Sequence, residues 1–319
     1  MNPSRDALKV IAIAGGKGGV GKTQVAVNLA VALHRRGQRV LVIDADLGLA
    51  NADLLLDVVP QAGLVDVARG LVAIEDALVE SPHGPVLLGG GGAMEARHGA
   101  RRDQGEPRLD DREKLALIGA LDSVGGAFDV VLIDTPAGLG DPGIFFARAA
   151  AEVCLVTTAE PTALADTYAT ARALLRRSAR RRLGLVVNQV TGARVAQAVH
   201  DRLRLLVHRF LGADLAMNGW IPFDPEVHHA VMRRSPIAAT RPEAPASRRM
   251  AALADTLLYD AAPAGPDPSG ELRLFWRALM ARTGAENSHK NTGGVDVGDR
   301  ECGAWVDPAV FGGEYRSHE

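Results

Sequence analysis

Cysteine is scarce in this chain, with Cys154 and Cys302 the only two among 319 residues. A disulfide framework is therefore excluded, and Cys154, inside the apolar run VCLV, is expected as a buried and inert thiol. Aromatic residues make up only 4%, so the core must be built from Val, Ile and Leu, the residues parallel strands prefer. No sign of charge dominates. A net charge of −2 offers no overall electrostatic case for nucleic acid, and specific binding to it is not expected. No apolar run is long enough to cross a membrane, and residues 1–9 lack the apolar centre of a signal peptide. A cytoplasmic location is expected. What remains, 47% hydrophobic and 23% charged residues, suits one sizeable core with room for tails or a small second unit.

Glycine is not scarce, and five of the seven residues from Gly15 to Gly21 are glycine. Val10, Ile11 and Ile13 read as a short buried strand, and a helical run begins at Lys22-Thr23 and continues to Arg36. Between them Gly16 to Thr23 fits G-x-x-x-x-G-K-[ST], the loop whose backbone N–H groups surround phosphate oxygens. Gly16, Gly18, Gly19, Val20 and Gly21 supply that backbone, and the helix N-terminus behind them adds partial positive charge. Lys22 would reach the β- and γ-phosphates, and the Thr23 hydroxyl would hold Mg²⁺. Lys17 is a second lysine inside the same loop, and spacing alone leaves it free to be a solvated charge.

Further along, Val40 to Ile43 reads as a strand that delivers Asp44-Ala-Asp46 and leads to Asn51. Carboxylates at such a strand end lie on the rim where open α/β sheets bind ligands, although one of them could cap a helix. Residues 64–80 suggest one or two short helices, and Val86 to Leu88 a strand running into Gly89–Gly92. Residues 93–114 are polar, with an Arg-rich part at 97–112, and read as a long loop before a helix at 115–124. The apolar run from Phe128 to Ile133 delivers Asp134 and a switch-like turn to Gly138. Strands are expected at 153–157 and 183–187, the second ending in Asn188, with helices after each and a last one at 247–258. Between them stands Trp220-Ile-Pro-Phe-Asp224. The arginines from Arg172 to Arg182 could meet acidic lipid, DNA or an acidic partner, or simply complement a helix C-terminus and face water. Alternating strands and helices predict a mostly parallel sheet flanked by helices on both faces.

Four regions follow: a domain at 1–260, a Pro/Gly linker at 261–270, an amphipathic helix at 271–283 and a polar, disordered tail at 284–319. Leu272, Phe275, Trp276, Leu279 and Met280 fall on one face of that helix, which could lie in a membrane interface or fold back on the domain.

The segments GGKGGVGKT, IDADLGLAN, IDTPAGLG and TTAEPTALADTYA, in this order, resemble the MinD/ParA family of P-loop ATPases with a deviant Walker A motif. Within it they are most similar to the flagellar-number regulators of the FlhG/FleN subgroup. The resemblance covers roughly residues 9–260 and implies ATP and Mg²⁺ as ligands and an ATP-dependent homodimer. It implies that Lys17 crosses to the partner's nucleotide and that Asp46 orients the attacking water. Thr23, Asp44 and Asp134 would support Mg²⁺, Asp46, Asn51, Asp134 and Gly138 would act as switches, and Asn188 with Pro222 and Asp224 would recognise adenine. The implied function is ATP hydrolysis that regulates flagellar number or placement, with the ATP form peripheral on the inner membrane. Implied partners are an SRP-type GTPase resembling FlhF or a flagellar transcription activator, although MNPSRDALK shows no sign of the GTPase-stimulating segment many members carry. Two other functions remain open: a DNA-associated partition ATPase, and a low-turnover regulatory protein acting by docking. An iron–sulfur reductase of related fold does not suit Cys154 and Cys302.

Overall fold

Eight strands form one sheet in the order β3-β4-β2-β5-β1-β6-β7-β8 in the computed structural model, which describes residues 8–48, 50–92, 108–138, 140–176 and 182–259. The strands are β1 (Lys9–Ala14), β2 (Val40–Asp44), β3 (Leu78–Glu80), β4 (Val86–Leu88), β5 (Val130–Asp134), β6 (Glu152–Thr157), β7 (Arg182–Val190) and β8 (Ala216–Pro222). Every pairing is parallel except that of the edge strand β3 with β4. The described helices are α1 (Lys22–His34), α2 (Ala52–Leu56), α3 (Leu64–Ala68), α4 (Ile74–Ala77), α5 (Asp111–Gly125), α6 (Asp141–Ala149), α7 (Pro161–Leu175), α8 (Ala193–Leu211), α9 (Pro225–Met232), α10 (Ile237–Thr240) and α11 (Pro245–Tyr259). The doubly covered parallel sheet expected from the sequence is what forms.

Burial explains the composition. The central strands β2, β5 and β6 are buried at every position, so they read as continuous aliphatic runs and not as alternating patterns. Helix α1 lies between the sheet and α11, with Leu29 and Leu33 wholly excluded from solvent. Each such leucine contributes about 1.5–3 kcal/mol by leaving water. Gly37, at φ 82, closes that helix by donating to the His34 carbonyl, as its position after the apolar run predicts.

Several boundaries differ from expectation. Helix α5 begins at Asp111 and not at residue 115, because Asp110 and Glu113 form a reciprocal cap, each accepting from the other's backbone N–H at 2.7 Å. Residues 78–80, expected as helix, form β3 instead. Helices α2, α6, α9 and α10 are too short or too near the loops to show a period. Strand β7 runs past Asn188 to Val190, with a register irregularity against β8. Residues 93–107, the arginines at 177–181, the linker, the 271–283 helix with Leu272, Phe275, Trp276, Leu279 and Met280, the tail and Cys302 lie outside the described residues. Cys154 is fully buried, and burial pushes its thiol up to about 12.

Candidate nucleotide site

The sheet order brings the chemistry together. Strands β1, β2 and β5 are neighbours and parallel, so the residues at their C-terminal ends share one rim. Asp44 closes β2 directly beside Asp134, which closes β5, and Ile13 of β1 pairs with Asp134 from the other side. The phosphate loop leaves β1 at this rim and turns into α1. Gly21 makes that turn at φ 92, in the left-handed region that favours glycine. A Cβ there would also stand 2.4 Å from the Asn188 amide nitrogen. That nitrogen donates to the Val20 carbonyl at 2.8 Å, so Asn188, placed by β7, braces the loop from behind.

Electrostatics around the loop are unbalanced. Lys22 is 8% exposed, and burial lowers its pKa against the opposing pull of Asp134 and Asp46. Among the described residues its ammonium bonds the Lys17 carbonyl alone, at 3.4 Å. Asp44 and Asp134 are buried side by side, and burial pushes both carboxyls up, to about 6 and about 8, with the Asp46 charge adding to the rise at Asp44 and the Asp44 charge at Asp134. Thr23 hydrogen-bonds Asp134, while Asp134 Oδ1 has no hydrogen-bond partner among the described residues. A buried ammonium short of acceptors beside an under-satisfied carboxylate suits an anion and a cation arriving together. Thr23 and Asp134 would hold Mg²⁺ in this way, a hard cation that takes oxygen ligands.

Asp44 shows a further role. Its Oδ1 accepts from Asp46 N at 3.0 Å, and its Oδ2 accepts from Asn51 N at 3.0 Å and Ala52 N at 3.1 Å. One buried carboxylate thus holds both ends of the loop that carries Asp46 and also caps α2. The helix-capping alternative and the ligand-rim reading of Asp44 meet in the same group. Asp46 is half-buried and accepts from Gly48 N at 3.2 Å. Gly138, at φ 88, turns the chain after Asp134 and Thr135.

Lys17 is held within its own chain. Its ammonium lies 2.5 Å from Glu160 Oε2 and 3.0 Å from Thr162 Oγ1, both at the start of α7. Neither partner carried a role in the sequence reading. The E-P-T signal was visible, but only the adjacency of β6 to β1 brings it to the phosphate loop.

Beside the loop opens a pocket of about 510 Å³. Asn188, Pro222 and Asp224 line it, and Gln24, Ile237 and Met250 form walls that the sequence did not disclose. The Asp224 carboxylate is spent on structure, accepting from Glu226 N at 3.0 Å and Ala246 N at 3.1 Å. The Asn188 side chain is committed as well, since besides donating to Val20 its Oδ1 accepts from Gln189 N at 3.0 Å. Among the described residues no helix is long and apolar enough to cross a membrane.

Comparison with known proteins agrees with this site. Residues 11–237 match the CobQ/CobB/MinD/ParA nucleotide binding domain. The chain is similar to the antiactivator FleN of Pseudomonas aeruginosa, 36% identical over 277 residues that cover 87% of this chain and 95% of that protein. It is also similar to the flagellum site-determining protein YlxH of Helicobacter pylori, 32% identical over 61% of this chain and 63% of that one. Among solved structures, the septum site-determining protein MinD of Pyrococcus horikoshii, complexed with Mg-ADP, superposes with a TM-score of 0.62. That chain is 27% identical, and the match covers 81% of this chain and 100% of the other.

Proposed function

This chain belongs to the MinD/ParA family of P-loop ATPases, and from that premise we propose that it is an ATP-dependent dimerising switch regulating flagellar number or placement at the inner membrane. The observation that carries the reading is the rim itself. One strand-end cluster holds a desolvated Lys22, an under-satisfied Asp134 and the Asp46 loop, with a base-sized pocket alongside. Similarity to FleN over most of both chains, and to YlxH, supports flagella as the regulated structure.

In this reading the triphosphate gives Lys22 acceptors beyond the Lys17 carbonyl, and the backbone from Gly16 to Thr23 cradles it. Thr23 and Asp134 would hold Mg²⁺, which would supply charge neutralisation for phosphoryl transfer. Asp46 orients the attacking water. Lys17 leaves Glu160 and Thr162 and reaches the nucleotide of a second copy, so hydrolysis waits for dimerisation. Phosphoryl transfer asks for positioning and charge more than covalent help, and one lysine supplied in trans makes the reaction a timer. The helix at 271–283 would settle on the membrane in the dimer, where two weak anchors gain about 10²–10⁴-fold in avidity. An SRP-type GTPase or a flagellar transcription activator is the proposed partner class.

The test measures turnover and oligomeric state together, with Mg-ADP and then Mg-ATP. A monomer with ADP, a dimer with ATP, and loss of turnover in Lys17→Ala are expected. A chain that binds Mg-ATP, stays monomeric and turns over equally without Lys17 would defeat the reading. Trp276→Glu and Phe275→Glu should abolish ATP-dependent sedimentation with anionic liposomes; unchanged sedimentation removes the anchor.

A further inference from the structure

After β4 the chain crosses the Asp44–Asp46 loop at a separation that only glycine permits. Gly90 is not among the residues with positive φ, so its need is for space. A Cβ on Gly90 would stand 2.3 Å from the Asp46 carbonyl oxygen and 2.6 Å from that of Asp44. Both are backbone atoms, and no flexible side-chain end can swing aside. The far side is closed as well. Leu64 N donates to the Gly89 carbonyl at 2.7 Å, and a Cβ on Gly63 would lie 1.8 Å from the Gly91 carbonyl oxygen. The strap from Gly89 to Gly91 is thus pressed between the start of α3 and the loop that carries Asp46.

We propose that Gly90 is a positioning residue for ATP hydrolysis, fixing the placement of Asp46 by close backbone contact with its loop. The inference rests on the reading of Asp46 as the group that orients water. The loop has two supports: the Asp44 carboxylate gathers its ends, and the strap bears on the Asp44 and Asp46 carbonyls. A methyl group at residue 90 moves the second support. With α3 backing the strap, the Asp46 loop must give, by about 1 Å, a displacement of the size that costs on the order of 10²-fold in rate when it misplaces a catalytic group. Gly91 is the internal control, because a Cβ there meets nothing within 4 Å.

The full chain is compared as wild type, Gly90→Ala, Gly91→Ala and Asp46→Asn, by Mg-ATP turnover, Mg-ADP affinity and thermal unfolding. Gly90→Ala is expected to fold and to bind Mg-ADP within about threefold of wild type, while kcat falls about ten- to hundredfold. Gly91→Ala should match wild type in all three. Retention of kcat by Gly90→Ala overturns the proposal. So does loss of folding or of Mg-ADP binding in that variant, which would make the contact merely structural. If Asp46→Asn turns over like wild type, the reading of Asp46 fails and the strap's role with it. If Asp46→Asn is inactive and Gly90→Ala is not, only the strap's role fails.

Discussion

In the proposed dimer Lys17 would have a partner to lose before it could serve a second copy, and the cost of that loss can be worked out. Its side chain is 36% exposed and that of Glu160 63%, so their ion pair is of the solvent-screened kind worth about 0.2–1 kcal/mol. Each protomer of the proposed dimer gives up one such contact. Removing the Glu160 charge should therefore ease dimerisation by about 0.4–2 kcal/mol, about two- to thirtyfold in the dimer dissociation constant. Glu160→Gln is the suitable change, since it keeps the shape and an acceptor. Sedimentation velocity across a protein dilution series, with Mg²⁺ and a poorly hydrolysed ATP analogue, reads the constant directly. The gain should shrink at high salt, where exposed pairs are screened. It should also vanish in a Lys17→Ala background, because a double-mutant cycle isolates the pair. A dissociation constant that is unchanged or raised by Glu160→Gln, or a gain that survives Lys17→Ala, would refute the idea that the pair opposes dimerisation.

Asn188→Ala removes the brace on Val20 and leaves that carbonyl without its donor, so Mg-ADP affinity should fall by about 1–3 kcal/mol, read by titration calorimetry. Asp110→Ala breaks the reciprocal cap of α5 and should cost about 1 kcal/mol in urea unfolding with turnover unaffected. With its thiol pushed up to about 12, Cys154 stays protonated in the native state. A Cys302→Ser variant should therefore resist a disulfide reagent up to about pH 9 and react once in urea, since the thiolate is the nucleophile; rapid native labelling at pH 8 would show the burial to be wrong.

Legibility followed periodicity and punctuation. The phosphate loop, β2 with Asp44, β5 with Asp134 and the parallel sheet could be read because apolar runs ending in glycine or aspartate carry their meaning locally. What could not be read was whatever depends on strand order. Glu160 becomes a partner of Lys17 only because β6 lies beside β1, and Gly90 bears on Asp46 only because β4 lies beside β2. The run Gly89–Gly92 was visible as glycine, but its reason, a backbone crossing, has no signature in one sequence. Helix α5 was cut short for a different cause: its first turn is polar, and the D-x-x-E cap was the overlooked signal. The triple acceptor role of Asp44 was hidden because backbone amides leave no trace in residue type.

Lys9, the first residue of β1, bonds the Leu257 carbonyl near the end of α11. Entry to and exit from the described fold are therefore neighbours, at the foot of the strand whose other end carries the phosphate loop. Six residues of extended chain put about 20 Å between the two ends. A dye, a surface or a cargo attached at residue 259 would hang from the back of the molecule, leaving its nucleotide face open for a second copy to approach.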